Sequence, residues 1–319
     1  MTGSRSGRIL GLEPRLVRAL LPAVSLVVIL AAIFIVQPKT ASAFGLELLL
    51  RLAVPLALAT LAQLFIMTVN DLDLSIGAYV SLTAGIGATL LVESPVTGTL
   101  ALLGCIAAYG ALGALIHVRR LPSIVVTLGM SFVWLGLAIT LLPTPGGSAP
   151  EWLRGLMTLK PELIPFPILA LVAIALVAHV GLMWTPYGAV LRGVGGNARA
   201  VERAGWSLLR AKVTMYVLAG ICGVLAGLAL LGLSGAADAR FGERYTLLSI
   251  AAVILGGGEF VGGRVSPVGA IMGAATLLLV NSLLTFLKLP PDWQIGAQGV
   301  VLIAVLALRM LVERGGQRR

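Results

Sequence analysis

Apolar runs of about twenty residues recur along this chain from Leu16 to Leu311, and a run of that length leaves few structural options. In hydrocarbon a backbone N–H or C=O finds no water, so a spanning segment must be a helix or part of a closed barrel. The runs are continuous rather than alternating, which excludes the barrel. With 58% hydrophobic and 11% charged residues, the chain is predicted to be an all-α polytopic membrane protein. Candidate spans fall at 17–36, 48–69, 74–92, 97–116, 124–142, 164–183, 212–233, 246–257, 267–287 and 294–311, about ten helices of which some are short or broken. The eighth is the shortest and runs into a glycine-rich stretch.

Ten crossings put both termini on one face, and the basic residues choose which. On the N-terminal face lie sixteen of the 23 Lys and Arg residues, including Arg119, Arg120, Arg192, Arg199, Arg203, Arg210, Lys212 and Arg264. The other seven, Lys39, Arg51, Arg154, Lys160, Arg240, Arg244 and Lys288, fall on the opposite face. By the positive-inside rule the tails 1–16 and 312–319 and the loop 184–212 are cytoplasmic. A basic head and the triplet Ala41-Ser42-Ala43 suggest a cleavable signal, but the stretch Leu16 to Val36 is longer than the roughly 7 to 15 residues of a signal core. An uncleaved first span is therefore expected, within one membrane domain covering 1–319. The formal charge of +10 sits at membrane edges, not on a basic stripe with interleaved aromatics, so nucleic acid is not an expected partner. Cys105 and Cys222 lie inside apolar runs, where a disulfide or metal site is not expected. Trp152, Trp184, Trp206, Tyr245 and Trp293 fall at span ends, as interfacial aromatics do, while Trp134 is placed in helix packing.

The loop "WTPYGAVLRGVGGNARAVERAGWSLLRAK", Trp184 to Lys212, carries five basic residues. Its "GVGG" lacks the strand and helix that a dinucleotide fingerprint needs. Asn197 has the chemistry of an N-cap, residues 198–204 are good helix formers, and Gly205 stands where a left-handed glycine ends a helix. A short, stiff helix on the cytoplasmic face is a handle for a partner; charge that only fixes orientation needs no such structure. On the other side, the loop 143–166 is the longest, and its residues 151–159 suit a short amphipathic helix, either a docking platform or a plain connector.

Two further segments interrupt the apolar pattern. In "TVNDLDLSIGAYVSLTAG", residues 68–85, Asn70, Asp71 and Asp73 have no basic neighbour in sequence. Two readings fit: a cytoplasmic turn in which Asp73 and Ser75 cap the next helix, or a dip into the membrane, where each carboxylate must face protein or a water-filled cavity. Gly256 to Gly263 is glycine-rich, with Glu259 and Arg264 beside "FVGG", and broken backbone at membrane depth requires protein or a cavity around it. Asn281, in mid-span, is expected to bond a neighbouring helix. His117 and His179 have no partners at ligand or triad spacing, and the only Lys followed by Thr, Lys39, is preceded by Pro38, so no phosphate-binding loop is present.

Taken together, "DLDLSIGAYVSL", "GGNARAVERAGWSLLRAKVTMYVLAG" and "AAVILGGGEFVGGRVSPVGAIMGA" with "WQIGAQGVVLIAVLAL" resemble the ribose, xylose, arabinose and galactose permease subunits of bacterial ABC importers. The match in order and spacing covers about residues 50–308. The resemblance implies a type II-like permease of the bacterial inner membrane, without a cofactor and without chemistry of its own. It implies as partners two cytoplasmic ATPase subunits, a second permease copy or paralogue, and an external solute-binding protein. Gly195, Gly196, Asn197, Ala200, Ala204 and Gly205 would form the ATPase-coupling helix, and Asn70, Asp73, Ser75, Gly257, Gly262, Gly263 and Asn281 the substrate pathway. Glu259 and Val265 depart from the family's small or hydroxyl residue and its glycine. The alternative is a secondary transporter in which Asp71, Asp73 or Glu259 carries protons.

Overall fold

The computed structural model describes residues 14–161, 163–260 and 262–290, and residues 293, 296, 299, 300 and 303. Its helices are α1 (Pro14–Val36), α2 (Ala43–Leu50), α3 (Ala53–Thr68), α4 (Ile76–Ala88), α5 (Leu90–Glu93), α6 (Pro95–Arg119) and α7 (Ser123–Leu141). They continue with α8 (Glu151–Met157), α9 (Phe166–His179, prolonged by a π turn at Val180–Trp184), α10 (Pro186–Arg203), α11 (Leu208–Ser234), α12 (Glu243–Leu255) and α13 (Pro267–Phe286).

Among the described residues, six helical stretches are long and apolar enough to cross a membrane. The pair α2 and α3, bent by 42°, makes a seventh if counted as one span. The polytopic helical class is as the sequence predicts, while the described residues confirm six or seven of the expected ten or so spans. The described side chains of α1 cover Leu20–Val36 of a helix that runs 23 residues, Pro14–Val36, and α12 has 13 residues. That is about 20 Å of helix against a hydrocarbon core about 30 Å thick. Apart from positions 296, 299, 300 and 303, the expected span 294–311 lies outside the described residues, as do residues 1–13 and the tail 312–319.

The centre of the bundle is α11, which packs along α3, α6 and α4. Every residue of α3 and α4 is buried. In lipid there is no hydrophobic force between helices, so close packing and buried hydrogen bonds must hold such a centre together. Tyr79, Tyr109 and Trp134 supply one such contact, with ring centroids 4.3 to 6.2 Å apart, and Trp134 is 4% exposed, in helix packing as expected. The two ends of the bundle are distinct. At one, called here the α8 end, Gly146 and Ala237 exchange backbone hydrogen bonds of 2.9 Å, Ser148 N donates to Ala88 O, and the short helix α8 packs on α11. At the other, the α10 end, the segments after α3 and after α12 meet α10.

Candidate functional site

Two helices, α4 and α12, begin inside the bundle rather than at its surface. The non-helical segment 69–75 leads from the α10 end up to α4 and is fastened by side chains on three neighbouring helices. Leu72 N donates to Ser123 Oγ and Leu74 N to Thr127 Oγ1 on α7. Gln63 on α3, with its amide oriented to pair both ends, donates to Asp73 O at 2.9 Å and accepts from Asp73 N at 3.3 Å. The Asp73 carboxylate accepts from Ser75 N and Ser75 Oγ at 2.7 Å and from Tyr109 OH at 2.7 Å. These donors offset the cost of enclosing a carboxylate whose residue is 0% exposed. Tyr109 stands ten residues from one end of α6 and 14 from the other. At 1.5 Å per residue Ser75 therefore lies about 15 Å from the α10 end and about 21 Å from the α8 end. Tyr79 OH donates to Gly220 O, in the middle of α11, and gives the same depth.

The start of α12 meets α4 from the opposite direction. Ala237 is tied to Gly146 at the α8 end, and the turns of residues 238–242 carry the chain inward to Gly242, whose N–H donates to Ser81 Oγ at 2.8 Å. Reciprocally, Gly77 N donates to Thr246 Oγ1 at 3.0 Å. A Cβ on Gly77 would fall 2.5 Å from Gly242 O, and one on Gly242 would strike Gly77 O, so the two backbones touch where neither tolerates a side chain. Thus α4 occupies the half of the bundle toward the α8 end, α12 the half toward the α10 end, and their N-termini face each other near mid-depth. Discontinuous helices of this kind are how membrane carriers place movable backbone at a solute site.

At the α10 end one asparagine joins three segments. Asn70, with φ of 60°, donates from Nδ2 to Gly195 O at 2.7 Å and accepts from Gly262 N at 3.2 Å. Gly195 is pressed so closely on Thr68 O and Gly263, and Gly263 on Arg192 O, that a Cβ at either would collide with backbone. Next to this clasp, Lys212 Nζ lies 2.8 Å from Asp71 Oδ2, which also accepts from Tyr216 OH at 3.0 Å. A basic partner for the acidic segment thus exists, on α11 rather than nearby in sequence.

Beyond the clasp, α10 breaks at Asn197 (φ −156°, ψ 85°), whose Oδ1 accepts from Ala200 N at 3.1 Å as an N-cap. The short helix that follows ends at Gly205, φ 85°, with Gly205 N donating to Glu202 O and Trp206 N to Val201 O, the paired bonds of a Schellman motif. Residues 202–207 are exposed.

The structure therefore brings Asn70, Gly195, Gly262 and Gly263 together and sets Gly196 beside Gly262 O. Asn197, Ala200, Ala204 and Gly205 stand on the exposed projection, and Gly257 takes a φ of 97° in the loop after α12. Asp73 and Ser75 lie enclosed in protein near mid-depth instead of capping α4 at a surface: Ser75, the residue before the helix, makes no side-chain cap bond. Asn281 is half-buried on α13, and its side chain makes no hydrogen bond among the described residues. The carboxylates suspected of proton traffic are engaged: Asp73 with three donors, Asp71 with Lys212 and Tyr216, and Glu259 with Arg264 at 3.5 Å on the surface. Sequence reasoning passed over Gln63, Gly77, Ser81, Tyr109, Gly242 and Thr246. Gln63, the single amide side chain of α3, whose other polar residues are the hydroxyl-bearing Thr60 and Thr68, was the one available signal.

Comparison with known proteins gives consistent results. The family model described as "Branched-chain amino acid transport system / permease component" matches residues 45–306. The ribose import permease protein of Bacillus subtilis is 31% identical over 298 residues, covering 89% of this chain and 91% of that protein. The ribose import permease protein of Haemophilus influenzae is 27% identical over 296 residues, with the same coverage. The autoinducer 2 import system permease protein of Photorhabdus laumondii is 30% identical over 278 residues, covering 81% of this chain and 80% of its own. No solved structure matches the chain.

Proposed function

This chain belongs to the permease-component family of branched-chain amino acid transport systems, and from that premise we propose that it is the membrane-spanning subunit of an ABC importer for a monosaccharide or similar small polar solute. The printed functions of its relatives, ribose and autoinducer 2 import, support that solute class. ATP hydrolysis belongs to separate cytoplasmic subunits, and an external binding protein delivers the solute. The permease works beside a second copy or a paralogue in the bacterial inner membrane. In this reading the chain is a single domain over 1–319 that crosses about ten times in a type II-like arrangement. Both termini and the loop 184–212 are cytoplasmic. Arg244, on α12 beside Glu243 at the level of Gly77, lies inward of the outer face, yet the six other basic residues of that face still oppose sixteen, so the charge asymmetry keeps its sign.

One observation carries the reading: an unbroken run of backbone contact joins the exposed capped helix to the half-helices. Displacement of residues 197–205 by a partner acts on Gly195 and Gly196, which bear on Asn70, Gly262 and Gly263. Asn70 leads through Asp73 and Ser75 to the start of α4, while Gly257 to Gly263 lead back to the end of α12. Both halves of the interrupted path are thereby attached to one handle. A ligand or partner shifts such a system only through contacts that differ between its two states, and a capped helix held on backbone transmits that difference without slack. Affinity purification of the tagged chain from its native membrane tests the proposal. The companions expected are an ATPase with a phosphate-binding loop and, in the presence of solute, an external binding protein. Recovery of the intact chain with neither counts against it.

A further inference from the structure

Helices α1 and α9 pack on α13, whereas α7 packs on α4. Between α1, α2, α9 and α13 lies a groove of about 510 Å³. Leu30, Leu50, Ile271 and Leu279 are typical of its lining, which is apolar, among the described residues, except for His179 at the end of α9. Val172 and Leu176 on its lip are 60% and 57% exposed, so the groove opens sideways, toward acyl chains. The imidazole in it is not paired: Nδ1 is enclosed and has no hydrogen-bond partner among the described residues. The ring only meets Trp184 edge-on, with centroids 6.0 Å apart. An enclosed polar atom without a partner is unfavourable, and nothing else in this lining can supply one.

The depth of that nitrogen identifies what can reach it. With its π turn, α9 runs 19 residues, Phe166–Trp184, about 28 Å against a hydrocarbon core about 30 Å thick. Trp184, 73% exposed, is the aromatic at headgroup level on the α10 end. His179 stands five residues, about 7 Å, below it, and the headgroup layer of one face is about 5 to 7 Å deep. The imidazole is therefore at the level where ester groups join lipid heads to tails. Ile168, at the far end of the groove, lies eleven residues deeper, about 16 Å, which is close to half the core thickness. On the headgroup side of His179, Arg192 Nε donates to Leu182 O at 3.1 Å and fixes a cation at the π turn.

We propose that this groove is a phospholipid site, in which one acyl chain from the leaflet at the α10 end lies between α9 and α13 while His179 Nδ1–H donates to the ester carbonyl. The order along α9 is that of the lipid: an apolar trough one leaflet deep, then a free donor, then a cation at the level of the phosphate. A helix does not fit the same place as well. Its backbone carbonyls are already paired within the helix, so a neighbouring span, or the segment 294–311 of this chain, would leave Nδ1 unsatisfied. An ester carbonyl, by contrast, is an acceptor that finds few donors at this depth, and both groups gain from the bond. The lipid fills a gap beside α13, whose start adjoins the clasp at Gly262 and Gly263, and it stabilises the folded chain by mass action. The site does not depend on which solute the chain carries.

The test uses the full chain, purified in detergent, stripped of lipid and titrated with phosphatidylglycerol. Bound lipid is counted by native mass spectrometry and thermal denaturation is followed in parallel. About one saturable phospholipid per copy is expected, with a melting temperature that rises as the site fills. His179→Leu keeps the apolar volume but removes the donor, and is expected to weaken this binding about two- to tenfold, the contribution of one net hydrogen bond. His179→Gln keeps a donor and is expected to stay within about twofold of the parent. Ala175→Trp, on the groove lining, fills the space itself and is expected to abolish the saturable lipid while the lipid-free protein melts as the parent does. Equal affinity in the parent and in His179→Leu overturns the ester bond, and saturable binding undiminished by Ala175→Trp overturns the groove as its place. Absence of saturable lipid on the parent means that protein covers the groove, and overturns the proposal whole. None of these readouts involves solute, ATP or the ATPase, so failure here leaves the importer reading standing.

Discussion

Replacing Asn70 tests whether the clasp at the α10 end is a working joint, because its loss can be divided into two parts. Asn70→Ala removes the bonds to Gly195 O (2.7 Å) and Gly262 N (3.2 Å). At about 0.5 to 1.5 kcal/mol each, the two together contribute about 1 to 3 kcal/mol. The residue also holds φ at 60°, a left-handed conformation that Asn tolerates and Ala does not, at a further cost of about 1 to 2 kcal/mol. Asn70→Gly loses the same bonds but not the backbone fit, so it should destabilise by about 1 to 3 kcal/mol against about 2 to 5 for alanine. Thermal denaturation of the purified chain in detergent should rank the parent above Asn70→Gly and the glycine variant above Asn70→Ala, with ATP-driven uptake falling sharply in both variants at normal membrane levels. If alanine matches the parent in denaturation and uptake, Asn70 does not join the segments in the working protein and the transmission route is wrong.

Three further outcomes follow from the same geometry. Gly77→Ala places a methyl 2.5 Å from Gly242 O and from Thr246 Oγ1, so it should cost about 1 to 3 kcal/mol as overpacking against backbone and reduce uptake at normal expression; parent-like denaturation and uptake would show that the half-helices do not meet there. Lys212→Met leaves Asp71, which is 10% exposed, with Tyr216 alone and should destabilise by about 2 kcal/mol, whereas Glu259→Gln breaks a surface pair worth at most about 1 kcal/mol and should leave uptake within a few fold; equal denaturation shifts would contradict the difference in burial. Gly205→Val forces a β-branched residue into φ of 85° at a cost of about 1 to 2 kcal/mol, and should weaken ATPase association and uptake while membrane levels stay normal; co-purification of the ATPase at parental yield would reduce the loop to an orientation signal.

The capped projection of α10 is legible in the sequence residue by residue, because Asn197 and Gly205 act through local backbone chemistry that neighbours dictate. The half-helices are not. Non-helical chain covers up to about 3.3 Å per residue, so the six steps from Asn70 to Ile76 can cross about 20 Å, a depth that takes a helix about thirteen residues. A hydropathy reading sees the same polar letters as a surface turn, and it sees residues 238–244 as a loop for the same reason. It therefore assigns Arg240 and Arg244 to one face although the segment that bears them leads into the bundle. The partner of Asp71 is hidden for a different reason: Lys212 lies 141 residues away, and only the packing of α11 brings it near.

The most direct measurement is solute uptake into vesicles that hold the chain with its ATPase, supplied with binding protein and with either ATP or an imposed proton gradient. Uptake that requires ATP and the ATPase, and that persists when the proton gradient is collapsed, is the predicted result. Uptake driven by the proton gradient with the ATPase absent would contradict the central claim and assign the work to carboxylates that this structure shows already bound.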